Sequence, residues 1–321
     1  SARPSGRSGS RRSCWPAAGP DVEASRLTAV DGGAFAAARR VVADYVALTK
    51  PKVQSLLLFT TIASMLIAGN PSLQLILLTC LGGYLSAGGA GAVNHWFDRD
   101  IDRSMERTAD RPVASGRVSP RAALTFGIAL GLISLVQMWF TVNPLSALLA
   151  FSGFLGYALM YTVWLKRSTP QNIVLGGAAG AIPPLVGWAA VTGEITLAPI
   201  YLFAIVFYWT PPHFWALSLL MKDEYAKVGV PMMPVVRGED ETRRQIVLYT
   251  TLLIAVTLLP VFGGLFGAIY LIAAVVLDAA FLALAIQLQR TPSRPAALKL
   301  YLYSLAYLAA LFAAMVVDSK L

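Results

Sequence analysis

The stretch NHWFDRDIDR, residues 94–103, begins at the end of a run over 53–97 that contains no Asp, Glu, Lys or Arg. Asn94, Asp98 and Asp102 are spaced four residues apart, so on a helix their side chains form one stripe about 12 Å long. Carboxylate and amide oxygens suit Mg²⁺, which proteins usually hold with one or two carboxylates and the phosphate oxygens of a substrate. The spacing therefore predicts a magnesium site in which the two aspartates also serve catalysis.

Arginines repeat with the same period on a second face of the predicted helix, about 100° from the acids. They are Arg99, Arg103, Arg107 and Arg111. Guanidinium groups bind phosphate oxygens through paired hydrogen bonds, so this face suits a diphosphate whose charge is shared with Mg²⁺. The alternative is a solvated helix end, with ion pairs four residues apart and arginines that only set membrane topology.

The elements that must position these residues follow from the composition. Of the 321 residues, 56% are apolar and only 13% are charged, whereas a soluble domain has about 25% charged residues. Five blocks carry at most one charged residue each: 53–97, 122–165, 168–221, 245–289 and 300–317. A membrane helix needs about 20 apolar residues, so each of the first four blocks fits two helices and the last fits one. We predict an all-α membrane protein with about nine transmembrane helices.

Each of the four long blocks has a turn signal near its middle. These signals are GNPS at 69–72, TVNP at 141–144, TGEITLAP at 192–199 and FGG at 262–264. The turns carry no Lys or Arg, whereas the loops between the blocks carry nearly all of them. By the positive-inside rule, these loops and the N-terminus are cytoplasmic and the C-terminus is outside. The net charge of +9 thus indicates topology in a lipid bilayer, and we expect no nucleic-acid partner.

Residues 1–40 are rich in Ser, Arg, Gly and Pro and poor in acids. This composition predicts a disordered basic tail, followed by a membrane domain over 41–321. The tail also loosely resembles a transit peptide. A tail that is simply unstructured fits the composition at least as well, so both locations stay open. We favour the bacterial cell membrane and keep the mitochondrial inner membrane as the alternative.

The pattern NxxxDxxxD at the end of the second predicted span, followed by RTADRPVASG, resembles the first signature of the UbiA superfamily of intramembrane prenyltransferases. The resemblance implies a bundle of nine helices in which the acids bind Mg²⁺ and an isoprenyl diphosphate. It assigns Asn94, Asp98 and Asp102 to the metal and the diphosphate. It also makes Arg107 and Arg111 partners of the diphosphate.

The chain departs from the second signature of that superfamily, which is commonly DxxxD. Asp223 and Glu224 end the sixth predicted span, and the residues four positions later are Lys227 and Val228. We therefore expect either a single shared metal ion at these acids or direct contact of one acid and nearby lysines with the diphosphate. The candidate metal ligands here are Asp223 and Glu224. The candidate diphosphate ligands are Lys222 and Lys227.

Three stretches narrow the resemblance to the protoheme farnesyltransferase branch of the superfamily. They are WTPPHFWAL at 209–217, YTVWLKRSTPQNIVLGGAAGAIPPLVGW at 161–188 and YAKVGVPMMPVV at 225–236. The resemblance covers roughly residues 45–318. It implies transfer of a farnesyl group from farnesyl diphosphate to a vinyl group of protoheme IX, with addition of water, to form heme O. A heme A synthase is then a candidate partner.

Four polar residues near or within the predicted spans remain to be assigned. His213 follows two prolines inside a span, and it is our candidate for the base that activates the water; the alternative is a hydrogen-bonded structural histidine. Lys166 and Arg167 close the fourth span, where they bind diphosphate or a heme propionate, or only set topology. Asp278 lies in the eighth span, and we predict no role for it beyond a buried hydrogen bond.

Two other functions fit parts of the sequence. A prenyltransferase of the same superfamily could act on a quinone precursor or chlorophyllide, although WTPPHFWAL argues against it. A transporter or heme-handling protein without catalysis could use His213 and Asp278 along a path. The charges, however, cluster on one predicted face of the membrane, whereas a transporter needs access from both. Mg²⁺-dependent release of diphosphate would separate these classes.

Overall fold

The computed structural model describes residues 35–321, and every regular element in that range is helical, which confirms the predicted fold class. The chain divides into two compact units, the second of which is Asp44–Leu321. Of the predicted disordered tail, residues 1–34 lie outside the described part. Residues 35–40 belong to a first helix, α1, which runs over 35–48.

Fourteen further α-helices and one π-helix follow α1. In chain order they are α2 Pro51–Ala68, α3 Leu73–Phe97, α4 Arg99–Ser104, α5 Pro120–Thr141, α6 Pro144–Leu155, the π-helix Gly156–Leu165, α7 Lys166–Ser168, α8 Asn172–Gly180, α9 Ile182–Thr192, α10 Leu197–Leu220, α11 Lys222–Lys227, α12 Met233–Val236, α13 Glu239–Phe262, α14 Ala268–Arg290 and α15 Arg294–Asp318.

Eight segments of the described chain are long and apolar enough to cross a membrane. Helix α10, with 24 residues, has the length of a ninth span, but its prolines, histidine and tryptophans make it less apolar. The segments agree with the predicted count of about nine, and each predicted turn signal overlaps a break between two spans. The chain is therefore an integral membrane protein of several helices.

Local sequence explains where the spans begin. Ser72, Ser119, Asn143 and Ser293 are N-caps whose side-chain oxygens accept a hydrogen bond from a backbone N–H in the first turn of the helix. Proline then stands in the first turn of several of these helices, where its missing N–H costs nothing and its fixed φ favours the helix.

The helix that carries the acid stripe packs closely on α5. A Cβ at Gly89 of α3 would lie 2.6 Å from the carbonyl oxygen of Gly127, and a Cβ at Gly127 would lie 2.7 Å from that of Gly89. Small residues allow such approach of two backbones in a membrane, where lipid supplies little hydrophobic drive for association. The contact holds α3 one turn before Asn94.

Gly89→Ala is expected to lower the melting temperature, because the added methyl group meets the Gly127 backbone and overpacking costs about 1–3 kcal/mol. Gly83→Ala is the matched control on the same helix, since its Cβ has its nearest neighbour, Leu58 Cδ2, at 3.8 Å. Thermal unfolding of both variants in one detergent measures the difference. A Gly89→Ala melting temperature equal to that of the control would contradict the close contact.

Asp278 links three helices in the other half of the unit. Thr257 Oγ1 of α13 lies 2.7 Å from Asp278 Oδ2, and Tyr307 of α15 donates to Asp278 Oδ1 at 2.6 Å. Tyr270 donates in turn to the Thr257 carbonyl oxygen at 2.7 Å. The structure therefore gives Asp278 the buried hydrogen-bonding role that we predicted.

Candidate active site

The three residues of the predicted acid stripe lie together and are buried. The exposed fractions of Asn94, Asp98 and Asp102 are 3%, 0% and 2%, so the alternative of a solvated helix end does not describe them. Asp100, which the spacing places on another face, has 61% of its side chain exposed. Hydrogen bonds from Arg167 hold the pKa of Asp100 at about 2, so this carboxylate is ionised but lies outside the buried site.

The three residues of the stripe stay aligned although the helix is interrupted at Asp98. Helix α3 ends at Phe97, Asp98 leaves the helical conformation, and α4 begins at Arg99. The backbone hydrogen bonds nevertheless continue at the helical spacing, from Asp98 N to Asn94 O at 2.9 Å and from Asp102 N to Asp98 O at 2.8 Å. Asn94 Nδ2 also donates to Asp98 Oδ2 at 2.7 Å. The predicted alignment of the three side chains therefore holds.

Cationic side chains from other segments bind the two aspartates. Lys166 donates to Asp98 Oδ2, and Arg111 Nη1 contacts both oxygens of Asp102 at 2.9 and 2.8 Å. Arg167 Nη2 lies 3.6 Å from Asp98 Oδ1, while its hydrogen bonds go to Asp100 at 2.8 and 2.7 Å. Lys166 and Arg111, which we predicted as diphosphate ligands, are thus in direct contact with the predicted metal ligands.

The predicted single stripe of four arginines is wrong. Helix α4 ends at Ser104, and residues 105–118 continue as turns. Within these turns, the Thr108 hydroxyl donates to the Asp102 carbonyl at 3.1 Å. Such a side-chain hydrogen bond competes with the helical one. Arg107 and Arg111 therefore leave the helix axis that carries Arg99 and Arg103.

The individual arginines have different surroundings. Arg99 donates to the Trp96 carbonyl at 2.6 Å and Arg103 to the Ala114 carbonyl at 2.9 Å. Arg107 is exposed and has no side-chain hydrogen bond or ion pair within residues 35–321. Of the predicted diphosphate arginines, Arg111 is at the acids and Arg107 is unengaged, whereas Arg103 supports the turn.

The second predicted cluster is only partly assembled. Asp223 and Lys227 are exposed, and Lys222 pairs with Glu239 at 3.0 Å. Glu224 differs, because its Oε2 is buried and has no hydrogen-bond partner in the described part of the chain.

Tyr225, next to Glu224, is affected by the charges of both clusters. Burial raises the pKa of Tyr225, the charges of Glu224 and Asp98 raise it further, and the charges of Arg107 and Arg111 lower it. Nonetheless, no group of three or more His, Cys, Asp or Glu side chains within residues 35–321 is arranged to hold a metal ion, so the two pairs of acids do not form one joint cluster.

Lys50 is a site residue that sequence reasoning missed. Its Nζ donates to Asn94 Oδ1 and lies 3.4 Å from the Tyr157 hydroxyl. Burial of the ammonium group, with the charge of Arg111 beside it, lowers the pKa of Lys50 to about 7. Among the non-glycine residues of 35–321, Lys50 alone has a positive φ, 54°, a conformation that costs about 1–3 kcal/mol and is typical of functional sites. Its position just before Pro51 was the available signal.

The π-helix Gly156–Leu165 was also missed. Its Thr162 hydroxyl accepts a hydrogen bond from Asn94 Nδ2 at 3.2 Å and donates to the Tyr157 carbonyl at 2.8 Å. The wider hydrogen-bond spacing persists to Lys166, whose N–H donates to the Tyr161 carbonyl. π-Helical turns are rare in proteins overall, and those that occur are often found at functional sites. Here the π-helix places Lys166 where its ammonium group donates to Asp98.

His213 lies inside helix α10, away from the charged cluster. Helix α10 continues unbroken through Pro211 and Pro212 to Leu220, although proline inside a helix usually breaks or kinks it. Membrane helices tolerate proline when neighbouring groups satisfy the freed carbonyls. The seven residues from His213 to Leu220 correspond to about 10 Å along the axis. No contact joins His213 to the acids within the described chain.

Aromatic rings and one serine orient His213. The imidazole stacks on Trp209 at 4.4 Å and on Tyr301 at 4.8 Å between ring centroids. Its Nδ1 lies 2.7 Å from Ser304 Oγ, and that hydroxyl donates to the Tyr301 carbonyl at 2.6 Å. Since the hydroxyl has only one hydrogen, it accepts from Nδ1–H, which leaves Nε2 as the basic nitrogen. Trp209 and Trp215 are 5% and 0% exposed, so neither is a lipid-facing belt residue.

The donor set at the acid stripe fits Mg²⁺. Asp98 Oδ1 is buried and accepts no hydrogen bond, so it retains a free lone pair, and Asp102 and Asn94 add hard oxygen donors. Two carboxylates with few further protein ligands are the usual arrangement when phosphate oxygens of a substrate complete the coordination. Asn94, Asp98 and Asp102 are therefore the residues that could hold the ion.

Comparison with curated proteins finds close relatives over most of the chain. It is 57% identical over 282 residues to protoheme IX farnesyltransferase of Chloroflexus aurantiacus, a match that covers 87% of this chain and 48% of that protein. It is 51% identical over 283 residues to protoheme IX farnesyltransferase of Symbiobacterium thermophilum, covering 87% of this chain and 95% of that protein. The chain thus spans about half the length of several relatives and nearly all of others.

Solved structures with the same fold are more distant in sequence. Digeranylgeranylglyceryl phosphate synthase matches with a TM-score of 0.73 and 21% identity, covering 87% of this chain and 99% of that one. A UbiA homologue from Archaeoglobus fulgidus, bound to DMAPP and Mg²⁺, matches with a TM-score of 0.58 and 17% identity, covering 85% and 99%. At these identities the likeness shows the fold alone. The UbiA prenyltransferase family model matches residues 57–313, and together with the relatives it shows that this chain belongs to the UbiA prenyltransferase family.

Proposed function

We propose that the chain transfers a farnesyl group from farnesyl diphosphate to a vinyl group of protoheme IX, with addition of water, and so forms heme O. The observation that carries this proposal is the buried stripe of Asn94, Asp98 and Asp102, with cationic side chains on each residue. A site of this kind serves a substrate with a diphosphate group, and the relatives named above act on protoheme IX.

The charged cluster would hold the diphosphate end of the donor. Asp98 and Asp102 would hold Mg²⁺, which when bound neutralises phosphate oxygens and favours departure of the diphosphate. Lys166, Arg111 and Lys50 would take further negative charge as the bond to the farnesyl group breaks. Arg107, exposed and unengaged, would add a guanidinium at the rim, together with Lys222 and Lys227 of the second cluster.

The second pair of acids would act at the rim as well. Glu224, with its buried and unpartnered Oε2, is the better candidate for a metal contact, and the exposed Asp223 is the weaker one. Arg103, bound to the Ala114 carbonyl, would hold the turn that carries Arg111. Arg167 would hold Asp100 and the end of the π-helix beside the diphosphate.

The deeper part of the bundle would perform the acceptor chemistry. Departure of the diphosphate leaves an allylic cation that must be shielded from bulk water. A vinyl group of protoheme IX attacks this cation, and water adds to the new cation beside the porphyrin. The base for that water would be Nε2 of His213, because Nδ1–H is engaged by Ser304 and a neutral imidazole suits proton removal near pH 7.

We further propose that the charged face is cytoplasmic and that the membrane is the bacterial cell membrane. The positive-inside rule supports the orientation, and bacterial relatives support the compartment. A mitochondrial inner membrane is the alternative. The product would then pass to an enzyme that acts on heme O, such as a heme A synthase.

Purified protein in detergent, supplied with protoheme, farnesyl diphosphate and Mg²⁺, tests the proposal. We expect a heme heavier by one farnesyl group and one water, detected by mass spectrometry and abolished by a chelator. Unchanged heme in folded protein would overturn the assignment of the acceptor, and turnover of a quinone precursor or chlorophyllide in the same assay would replace it. Intact farnesyl diphosphate with every acceptor would favour a non-catalytic protein.

A further inference from the structure

Each candidate metal ligand of the site is bound by a lysine or arginine side chain from a different segment. Lys50, before α2, donates to Asn94. Lys166, after the π-helix, donates to Asp98. Arg111, in the turns over 105–118, contacts both oxygens of Asp102. The oxygens that suit Mg²⁺ are therefore the same oxygens that the chain's own cations occupy.

We propose that these cations compete with Mg²⁺ for the oxygens of the stripe, so that the metal binds tightly only when a diphosphate takes the cations over. The inference rests on the proposed function, since it requires a diphosphate substrate. It adds a property that the function does not imply, namely that the chain's own cations hold the metal ligands until a diphosphate binds.

The local charge supports the competition. Asp98 and Asp102 are the only buried carboxylates of the stripe, and Lys166, Arg111 and the nearby Arg167 already balance them. A divalent cation that enters alone must displace these partners and then lie next to the displaced positive charges. A diphosphate supplies several negative charges at the same place, so it gives the displaced cations new partners.

The geometry allows the exchange without movement of the backbone. Lys50, Lys166 and Arg111 reach the stripe with long side chains, whose terminal groups can turn toward a phosphate by rotation of side-chain bonds. Asp98 Oδ1 accepts no hydrogen bond, so one oxygen is open to a metal before Lys166 leaves the other. Asp98 Oδ1 is thus a first point of contact for the metal, while the other oxygens become available when these side chains turn away.

The proposal predicts a direction for the change in metal affinity on removal of Lys166 that a purely positioning role of this lysine would not produce. If Lys166 competes with the metal, its removal leaves Asp98 as a buried and poorly compensated charge, and metal alone then binds more tightly. If Lys166 instead positions Asp98 for the metal, its removal weakens metal binding. Because no Lys166 then remains for the diphosphate to draw away from Asp98, the gain in metal affinity on addition of diphosphate must shrink in the same variant, and so must the equal gain in diphosphate affinity on addition of metal.

Mn²⁺ binding to the purified full chain, followed by the electron paramagnetic resonance of free Mn²⁺, tests the direction of this change in metal affinity without turnover. In the absence of any diphosphate, we expect Lys166→Met to bind Mn²⁺ at least about tenfold more tightly than the unaltered chain, as breaking a buried pair leaves a costly charge. The matched control is Lys299→Met, an exposed lysine of α15 with the same change of charge, which should stay within about twofold. Unchanged or weaker binding by Lys166→Met would overturn the proposal.

A second titration adds farnesyl thiolodiphosphate, an unreactive analogue of the donor, with Mn²⁺ bound by the analogue itself subtracted. The unaltered chain should gain roughly 100-fold in Mn²⁺ affinity, at the upper end of usual coupling, and Lys166→Met clearly less. Equal gains would contradict the proposal. If Lys166→Met does not fold, Arg111→Gln applies the same test to Asp102.

The product assay separates this inference from the proposed function. Formation of farnesylated heme by the unaltered chain, without tighter Mn²⁺ binding in Lys166→Met, rejects the competition and leaves the function standing. Strong coupling between Mn²⁺ and the analogue, in a chain that does not alkylate protoheme, supports the competition and rejects the acceptor.

Discussion

Asp98→Asn is expected to lower farnesyl transfer at least about 10³-fold, because it removes the ionised oxygens that Mg²⁺ requires, and metal stabilisation of a leaving group contributes several kcal/mol. The variant keeps the size of the side chain, and it keeps a donor or acceptor for Asn94. Product formation by mass spectrometry measures the loss, while heme absorbance and thermal unfolding check that the protein is folded and still binds protoheme.

Asp100→Asn is the matched control for that prediction. It makes the same chemical change two residues away, at an exposed carboxylate that pairs with Arg167 on another face. Exposed ion pairs contribute about 0–1 kcal/mol, so turnover should stay within about fivefold of the unaltered chain. Normal turnover by Asp98→Asn would remove the metal assignment, and equal losses in both variants would mean that the effect is not specific to the stripe.

The parts of the site that could be predicted from sequence are those set by local geometry. Asn94, Asp98 and Asp102 share a face because helical spacing puts them there, and the backbone hydrogen bonds keep that spacing through the interruption at Asp98. The spans and turns were predictable for a similar reason, since charge-free length and turn residues act within a few residues. Local rules therefore located the stripe and the helix that carries it.

The parts that could not be predicted depend on contacts between distant segments. The arginine stripe failed because Thr108 caps the Asp102 carbonyl and turns the chain, which no helical period shows. Lys50 reaches Asn94 only because its backbone adopts a positive φ. The π-helix changes the register of Lys166 by hydrogen bonding that its apolar sequence does not reveal. Each of these three features brings a basic side chain to the stripe, namely Arg111, Lys50 and Lys166. The sequence therefore predicted the acids better than their basic partners.

The site has two levels with different chemistry. The charged level, at the ends of α3 and the π-helix, would suit the polar head group of a substrate. The second level is that of His213, which lies about 10 Å along the axis before the end of α10 and stacks on aromatic rings. A reaction that separates a diphosphate from a carbon cation suits this division, because the two charges form at different depths.

His213→Phe is expected to leave release of diphosphate largely intact and to reduce the hydrated product about 10²–10⁴-fold, the usual contribution of a general base. Phenylalanine keeps a ring between Trp209 and Tyr301 but has no Nε2, so packing is largely preserved. Mass spectrometry should show farnesylated heme that lacks one water in place of the hydrated form.

Ser304→Ala tests the same assignment through the tautomer. The variant removes the acceptor of the Nδ1–H hydrogen bond, so Nε2 loses its fixed role as the basic nitrogen, and the hydrated product should fall less than in His213→Phe. A normal yield of hydrated product from His213→Phe would show that another group removes the proton. Loss of diphosphate release in that variant would instead assign His213 to the binding or ionisation of the donor, because a base for the final water acts only after the donor has ionised.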